Sequence, residues 1–348
     1  VIRCVEKKAQ LCVPLMTLID YLGYRVLACA ELPIDKSTLL YGTADQKTVY
    51  FGTESEKGKQ IAPLIKELGK NCNLGPNVFS KGMFYTPLDL EAHIGKDNRK
   101  YIIDMARLFP PVYYDRIASK PDAQFLYELF RPEFVQSYYQ ENALLSDSIS
   151  PFVSNECRIR STLTLQHATH YLINTVIPSF TELLVQQPVS DSSLSQLIPA
   201  IHRQGINIRY FGIMFSLLQR KFSNSEWRDI ILIEMLARTF KSILRAELRT
   251  VISQTQDNLP RRTALINATV SLLNMAFSGS YLSLWSEKFL IIEEKFRNSD
   301  LSWNFFTEQF SSPIFRKRVF LRSKQLINVA FTSTACSLFE NTTQDFFG

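Results

Sequence analysis

The stretch SNSEWRDIILIEMLARTFKSILRAELRTVISQT, residues 223–255, contains no glycine and no proline. Asn224 and Ser225 stand at its start, where short polar side chains accept from the unpaired N–H groups of a first helical turn. A run of this length and texture predicts one long helix. Its neighbours share the pattern: LTLQHATHYLINTVIPSFTELLVQQ (163–187), DSSLSQLIPAIHRQG (191–205), RTALINATVSLLNMAFSGS (262–280) and SPIFRKRVFLRSKQLINVAFTSTACSLF (312–339) all space their apolar residues helically. AQFLYELFRPEFVQSYYQENALL (123–145) reads the same way. From about residue 122 onward the chain is expected to be helical.

The preceding residues have a different texture. YRVLACAELPI (24–34), STLLYGT (37–43) and KTVYFGT (47–53) are short runs bounded by Gly, Pro, Asp or Ser, as neighbouring strands of one sheet are. ESEKGKQIAPLIKELGKNCNL (54–74) then repeats Ile61, Leu64, Ile65 and Leu68 at helical spacing, with Gly69 where a helix often ends. MFYTPLDLEAHIG (83–95) and RKYIIDMARLF (99–109) read as two more strands joined by the polar GKDNR turn. The expected fold class is α+β: a mixed sheet-and-helix domain, residues 1–121, followed by an all-α helical domain, residues 122–348.

With 348 residues, 46% of them hydrophobic and 21% charged, the chain is long and apolar enough to bury a core and too apolar for intrinsic disorder. No run approaches the roughly 18–20 apolar residues of a membrane span, and VIRCVEKK lacks the pattern of a secretory signal, so a soluble, intracellular protein is expected. The cysteines Cys4, Cys12, Cys29, Cys72, Cys157 and Cys336 show neither C-x-x-C pairs nor metal spacing, and read as reduced thiols. Residues 1–150 hold 18 basic and 18 acidic side chains, whereas the remainder holds 21 and 15, so the whole excess of +6 lies in the helical part. Such a bias is compatible with a polyanionic partner and equally with an ordinary solvated surface.

Enzyme templates do not fit. The chain has no G-x-x-x-x-G-K-[ST], G-x-G-x-x-G after a strand, G-x-S-x-G or H-E-x-x-H. His167 and His170 are three apart on one helical face but have no further ligand type beside them, so they read as packed imidazoles and no metal is expected. No cofactor or small-molecule substrate is expected either.

The ordered pieces IDYLGYRVLACAELPI (19–34), STLLYGTADQKTV (37–49), DLEAHIGKDNRKYIIDMARLFPP (89–111) and LYELFRPEFV (126–135) resemble the Clu domain of the clustered mitochondria family. LTLQHATHYLINTVIPSFTELL, IHRQGINIRYFG (201–212), EMLARTFKSILRAELR (234–249) and SLWSEKFLIIEEKF (283–296) resemble the helical segment that follows it, historically associated with translation initiation factor 3. The likeness spans about Tyr21 to Phe296, and DYLGYRV, DNRKYIID and HRQGINIRYFG are its most specific parts. One departure is KDNR, where the family more usually has a second glycine. The family's ubiquitin-like segment, the beginning of its Clu domain and its tetratricopeptide array are not visible, which implies a core fragment or a reduced paralogue. The resemblance implies a cytoplasmic protein that influences mitochondrial distribution and binds messenger RNAs of mitochondrial proteins, with ribosome-associated or mitochondrial surface proteins as further partners.

The residues then suggest where RNA would bind. Arg238, Lys241, Arg245 and Arg249, spaced 3, 4 and 4, form a stripe on the long helix that could follow a phosphate backbone. Arg316, Lys317 and Arg318, with Arg322 and Lys324 beyond them, form a second cluster, in which Phe315 and Phe320 are interleaved for base stacking. In KYIIDMARLF strand alternation sets Asp104 on a face with Ile102, Ala106 and Leu108, opposite Arg107, so a partner such as Arg25 or Arg99 is expected. Asn98 belongs to the adjoining turn. In HRQGINIRYFG, Gly205 permits a turn that a side chain would obstruct, Asn207 can cap the next helix, and Arg209 can reach back across the corner. The reading is a non-enzymatic RNA-binding protein. Its alternatives are a protein-interaction scaffold and a kinase-like fold with Asp104 as a magnesium ligand.

Overall fold

A computed structural model describes residues 10–45, 48–79, 82–113, 128–141, 144–146, 155–190, 193–255, 258–296 and 298–327. Its strands are β1 (Met16–Tyr21), β2 (Tyr24–Cys29), β3 (Leu39–Gly42), β4 (Tyr50–Phe51), β5 (Asn77–Phe79), β6 (Gly82–Phe84), β7 (Glu91–Ile94) and β8 (Lys100–Ile103). The helices are α1 (Glu56–Asn71), α2 (Pro132–Glu141), α3 (Asn155–Tyr171), α4 (Ile177–Val185), α5 (Ser193–Arg203), α6 (Phe211–Lys221), α7 (Glu226–Gln254), α8 (Asn258–Phe277), α9 (Tyr281–Lys295), α10 (Trp303–Ser311) and α11 (Pro313–Ile327). The α+β class with a helical second part is as expected.

The chain forms two compact units. One comprises the chain up to Met16, Cys29–Ile177 and Ile198–Asn207; the other comprises Thr17–Ala28, Pro178–Leu197 and the chain from Ile208 onward. These bounds differ from a single division at residue 121. Helices α2 and α3 join the first unit because local bonds tie them to its sheet-bearing part: the Tyr113 N–H donates to Thr169 Oγ1 at 2.9 Å, and backbone bridges link Leu74 to Leu145 and Pro111 to Leu129.

In the first unit an antiparallel sheet runs in the order β4-β3-β7-β8. Helix α1, capped by Ser55 whose Oγ accepts from the Gly58 N–H, buries Ile61, Ile65 and Leu68. It packs against β3 and β7. Gly69 does not end this helix, which continues to Asn71. The position excludes a side chain because a Cβ there would lie 2.3 Å from the Tyr85 carbonyl oxygen. The β7–β8 hairpin turns through GKDNR as predicted, with Asn98 at φ 68° and the Asp97 carboxylate accepting from Tyr101 Oη at 2.7 Å.

Three local expectations are corrected. Residues 24–29 are not a neighbour of β3: they pair with β1 in a separate two-stranded sheet, because Leu22 and Gly23 both hold positive φ and close a tight turn. The strand from Lys100 stops at Ile103. Asp104 takes φ 56°, residues 105–107 form a 3-10 turn, and the predicted alternation through Leu108 does not exist. In 123–145 the helix begins only at Pro132, whose missing N–H costs nothing in a first turn. Residues 123–127 lie outside the described residues, as does the part of 312–339 beyond Ile327.

The second unit is built around α7, whose 29 residues bury a continuous face from Trp227 to Leu248. Helix α11 lies along it. Trp285, Phe306 and Phe310 form an aromatic cluster, with Phe306 and Phe310 stacked at 4.9 Å and the Trp285 indole N–H donating to the Ala276 carbonyl at 3.1 Å.

Gly205 sits at the HRQGINIRYFG corner with φ 73°, and a Cβ there would lie 2.4 Å from the Phe134 backbone nitrogen. Gly205→Ala is therefore expected to lower stability by roughly 2 kcal/mol or more, read by denaturant unfolding of the first unit's signal. An unchanged midpoint would show that this corner tolerates a side chain.

Candidate functional site

Glu234 is wholly buried on α7. Its carboxylate accepts from Arg238 Nε at 2.7 Å, one turn along the same helix, and from Arg322 of α11 through Nε at 2.5 Å and Nη2 at 3.2 Å. The remaining reach of Arg322 goes to Gln325, whose Oε1 accepts at 2.9 Å. One carboxylate thus joins two guanidinium groups and leaves a net positive charge at a site with little water.

More cations gather beside this triad. Lys295 of α9 donates to the Arg238 carbonyl at 2.8 Å and to Ser242 Oγ. Lys241 donates to the Leu326 carbonyl at 2.6 Å. Arg249 donates to the Gly23 carbonyl at 2.9 Å, and Arg245 lies 3.6 Å from Asp20. Asp20 also accepts both arms of Arg25, at 2.8 and 2.9 Å. Arg25, Arg238, Lys241, Arg245, Arg249, Lys295 and Arg322 therefore surround two carboxylates.

The charges respond accordingly. The Arg25 hydrogen bond holds the Asp20 carboxyl down to about 2, with Arg245 and Lys241 adding to it. Burial lowers the Lys241 amine, and nearby Arg245, Arg25 and Arg238 add to that against the pull of Asp20. Burial, with Arg238, Arg245 and Lys241, pushes Lys295 down to about 8.

The four cations predicted on the long helix do share one stripe, but each reaches a partner within the chain. Arg238 closes on Glu234 of its own helix, Lys241 reaches α11, and Arg245 and Arg249 hold the tip of the β1–β2 hairpin. Arg316 donates to the Phe310 and Ser311 carbonyls at 2.5 and 3.0 Å and lies over the Tyr281 ring. Lys317 and Lys324 are exposed and Arg318 is half-buried. Phe315 and Phe320 are buried, Phe320 packing edge-on against Phe277 at 5.5 Å, so they are not placed for base stacking. The sequence reading missed Glu234, Asp20 and Lys295. A lone acid in an apolar helical run, IILIEML, was the available signal for Glu234.

In the first unit Asp104 has neither expected partner, since Arg25 pairs with Asp20 and Arg99 lies 3.8 Å from Asp97. Burial and the Asp89 charge raise its carboxyl, and burial and Asp104 raise Glu91. Arg107 pairs with Asp89 at 3.3 Å. His93 lies 3.2 Å from Glu91, and burial lowers its imidazole. His167 shares a 2.7 Å hydrogen bond with the Tyr138 hydroxyl. Among the described residues no group of three or more His, Cys, Asp or Glu side chains could hold a metal ion. Asn207 precedes a 3-10 turn at 208–210, the next helix has no side-chain cap, and Arg209 in that turn lies over the Tyr210 ring at 5.4 Å.

Residues 2–113 match the family described as Clustered mitochondria, and residues 188–268 match Translation initiation factor eIF3 subunit 135. The chain is 23% identical over 250 residues to a clustered mitochondria protein homolog of Vanderwaltozyma polyspora, covering 61% of this chain and 20% of that protein. It is 25% identical over 321 residues to the clustered mitochondria protein of Arabidopsis thaliana, covering 68% and 22%. With the homolog of Neosartorya fischeri the identity is 39% over 92 residues, 25% of this chain and 7% of that one. The chain thus spans about a fifth of the length of the first two. No solved structure matches it.

Glu234→Ala would leave two guanidinium groups buried without their carboxylate, and is expected to lower stability by about 3–5 kcal/mol in denaturant unfolding. Lys295 gives a second prediction. Its amine loses its proton more readily in the fold than in the unfolded chain, so between about 8 and 10.5 the unfolded state binds more protons and stability rises with pH. That rise should shrink in Lys295→Met, measured by unfolding at pH 7.5, 9 and 10.5.

Proposed function

We propose that this relative of the clustered mitochondria proteins is a non-catalytic, cytoplasmic RNA-binding module whose helical unit holds phosphates. The observation that carries the reading is the surplus of cations where α7, α9, α11 and the β1–β2 tip meet: seven of them against the carboxylates of Asp20 and Glu234. The charges that bear on Lys295 are those of Arg238, Arg245 and Lys241. A bound polyanion would relieve that repulsion, and Lys317, Arg318 and Lys324 continue the positive surface along the outer side of α11.

The reading differs from a simple basic stripe. Arg238 and Arg322 hold the fold, the half-buried Lys241 and Lys295 add to the potential, and the exposed Lys317 and Lys324 supply charge that a phosphate can reach. The family names support the assignment: one matched segment bears the name of a translation initiation factor, and the relatives are named for clustered mitochondria. On this reading the RNA is a messenger, of mitochondrial proteins, and the module contributes to mitochondrial distribution. Among the described residues no helix is long and apolar enough to cross a membrane.

Fluorescence anisotropy with a mixed-sequence single-stranded RNA tests the proposal. Three or four phosphate contacts predict an affinity that falls by roughly tenfold to fiftyfold between about 50 and 200 mM salt. The Lys317→Glu, Lys324→Glu double variant should lose about tenfold or more while keeping the far-ultraviolet circular dichroism of the folded chain. Absence of binding at low salt would overturn the reading.

A further inference from the structure

Lys295 ends α9 and is half-buried. A lysine ammonium has three N–H donors to place. Two acceptors meet this one, both on α7: the Arg238 carbonyl at 2.8 Å, and Ser242 Oγ, whose own hydrogen goes to that carbonyl at 3.2 Å. Among the described residues no carboxylate pairs with it. Glu293 and Glu294 of its own helix are exposed, Glu234 is taken by Arg238 and Arg322, and Asp20 is taken by Arg25. The inventory suits a neutral amine, whose two N–H groups match the two acceptors and leave the nitrogen lone pair free.

The surroundings act in the same direction. Burial first, and then the charges of Arg238, Arg245 and Lys241 on α7, disfavour the ammonium and bring Lys295 down to about 8. At pH 7.5 about a quarter of such amines carry no proton, against about one in a thousand for an ordinary lysine. A weaker base is a weaker nucleophile, which offsets part of that gain and leaves an advantage of about tenfold. The same three cations attract anions, and Arg238 and Arg245 keep part of their side chains in solvent. A neutral nucleophile beside an anion-attracting surface is matched to a reagent that carries phosphate and an activated carbonyl together.

We propose that Lys295 is an acylation site that takes its acyl group from a phosphate-bearing donor, an acyl phosphate or an acyl thioester of a phosphorylated carrier. The nitrogen lone pair attacks the carbonyl carbon. The bond from that carbon to the phosphate oxygen or to the thioester sulfur breaks, phosphate or thiolate leaves with the electron pair, and the nitrogen gives its surplus proton to water. The amide that results keeps one N–H for the Arg238 carbonyl and carries no charge. Acylation thereby removes one cation from the surplus around α7. That consequence for phosphate binding rests on the RNA reading, whereas the acylation rests only on Lys295 and its neighbours.

The test treats the full chain with acetyl phosphate, with acetyl-coenzyme A and with p-nitrophenyl acetate, which has no phosphate. Acetylated lysines are quantified by peptide mass spectrometry against Lys57, exposed on α1. Lys295 should outpace Lys57 by about tenfold or more with acetyl phosphate or acetyl-coenzyme A, the two arms showing which carrier the surface accepts, and its lead should be severalfold smaller with p-nitrophenyl acetate. Its rate should level off above a pH of about 8, whereas that of an ordinary lysine keeps rising to about 10. Equal rates at Lys295 and Lys57 with both phosphate donors would overturn the proposal, as would a Lys295 rate without that plateau or an equal lead with the neutral ester. RNA anisotropy separates the two readings. Lys295→Gln, uncharged like the amide, should bind about threefold more weakly than the unaltered chain, and unchanged affinity would overturn the regulatory consequence. A chain that acetylates at Lys295 but binds no RNA would defeat the phosphate reading and leave the acylation standing.

Discussion

The second unit depends on a carboxylate that apolar packing alone would have rejected. Glu234 has no exposed surface, and its charge is tolerable only because Arg322 grips it from α11 while Arg238 closes over it from the same helix. That requirement fixes the register of α11 on α7 to within a fraction of a turn, since a bidentate guanidinium has little freedom in distance or angle. Once α11 is set, the carbonyl of Leu326 falls beside Lys241, and the Arg238 carbonyl is available to Lys295.

The triad also explains the surplus of charge. Two arginines serve one carboxylate, and the neighbouring lysines spend their hydrogen bonds on carbonyl and hydroxyl oxygens, which satisfy a donor without cancelling its charge. A structural device in the interior therefore leaves positive potential at the surface above it. Burial is incomplete for Arg238 and Arg245, whose side chains retain 21% and 25% of their exposure, so the potential is accessible from solvent.

The helical half of the fold was legible because its evidence is local. Residues 223–255 lack breakers and carry a cap, and Ser225 does accept from the Trp227 N–H. The β7–β8 hairpin was legible for the same reason, with Asp97 and Asn98 supplying turn chemistry in the sequence itself. Pairing between strands was less so. The run 24–29 has the same texture as 39–42, and what separates them is a left-handed Leu22, a conformation that propensity argues against. Asp104 failed for a related reason, because a single residue at φ 56° ends an alternation that composition would have continued. At the cation cluster spacing identified the stripe but not its direction. Whether Arg245 faces solvent or Asp20 depends on a hairpin more than 200 residues away in the chain, and Lys295 enters from a third element. Periodicity within one helix contains neither fact.

The central claim is that the cation surplus on α7, α9 and α11 holds nucleic-acid phosphate. Ultraviolet crosslinking of the full chain to a single-stranded RNA, followed by peptide mass spectrometry, addresses it most directly. The account predicts crosslinked peptides from α9 and α11, around Lys295 and Lys317 to Lys324, that disappear at high salt. Crosslinks confined to the sheet-bearing unit, or unchanged by salt, would contradict it.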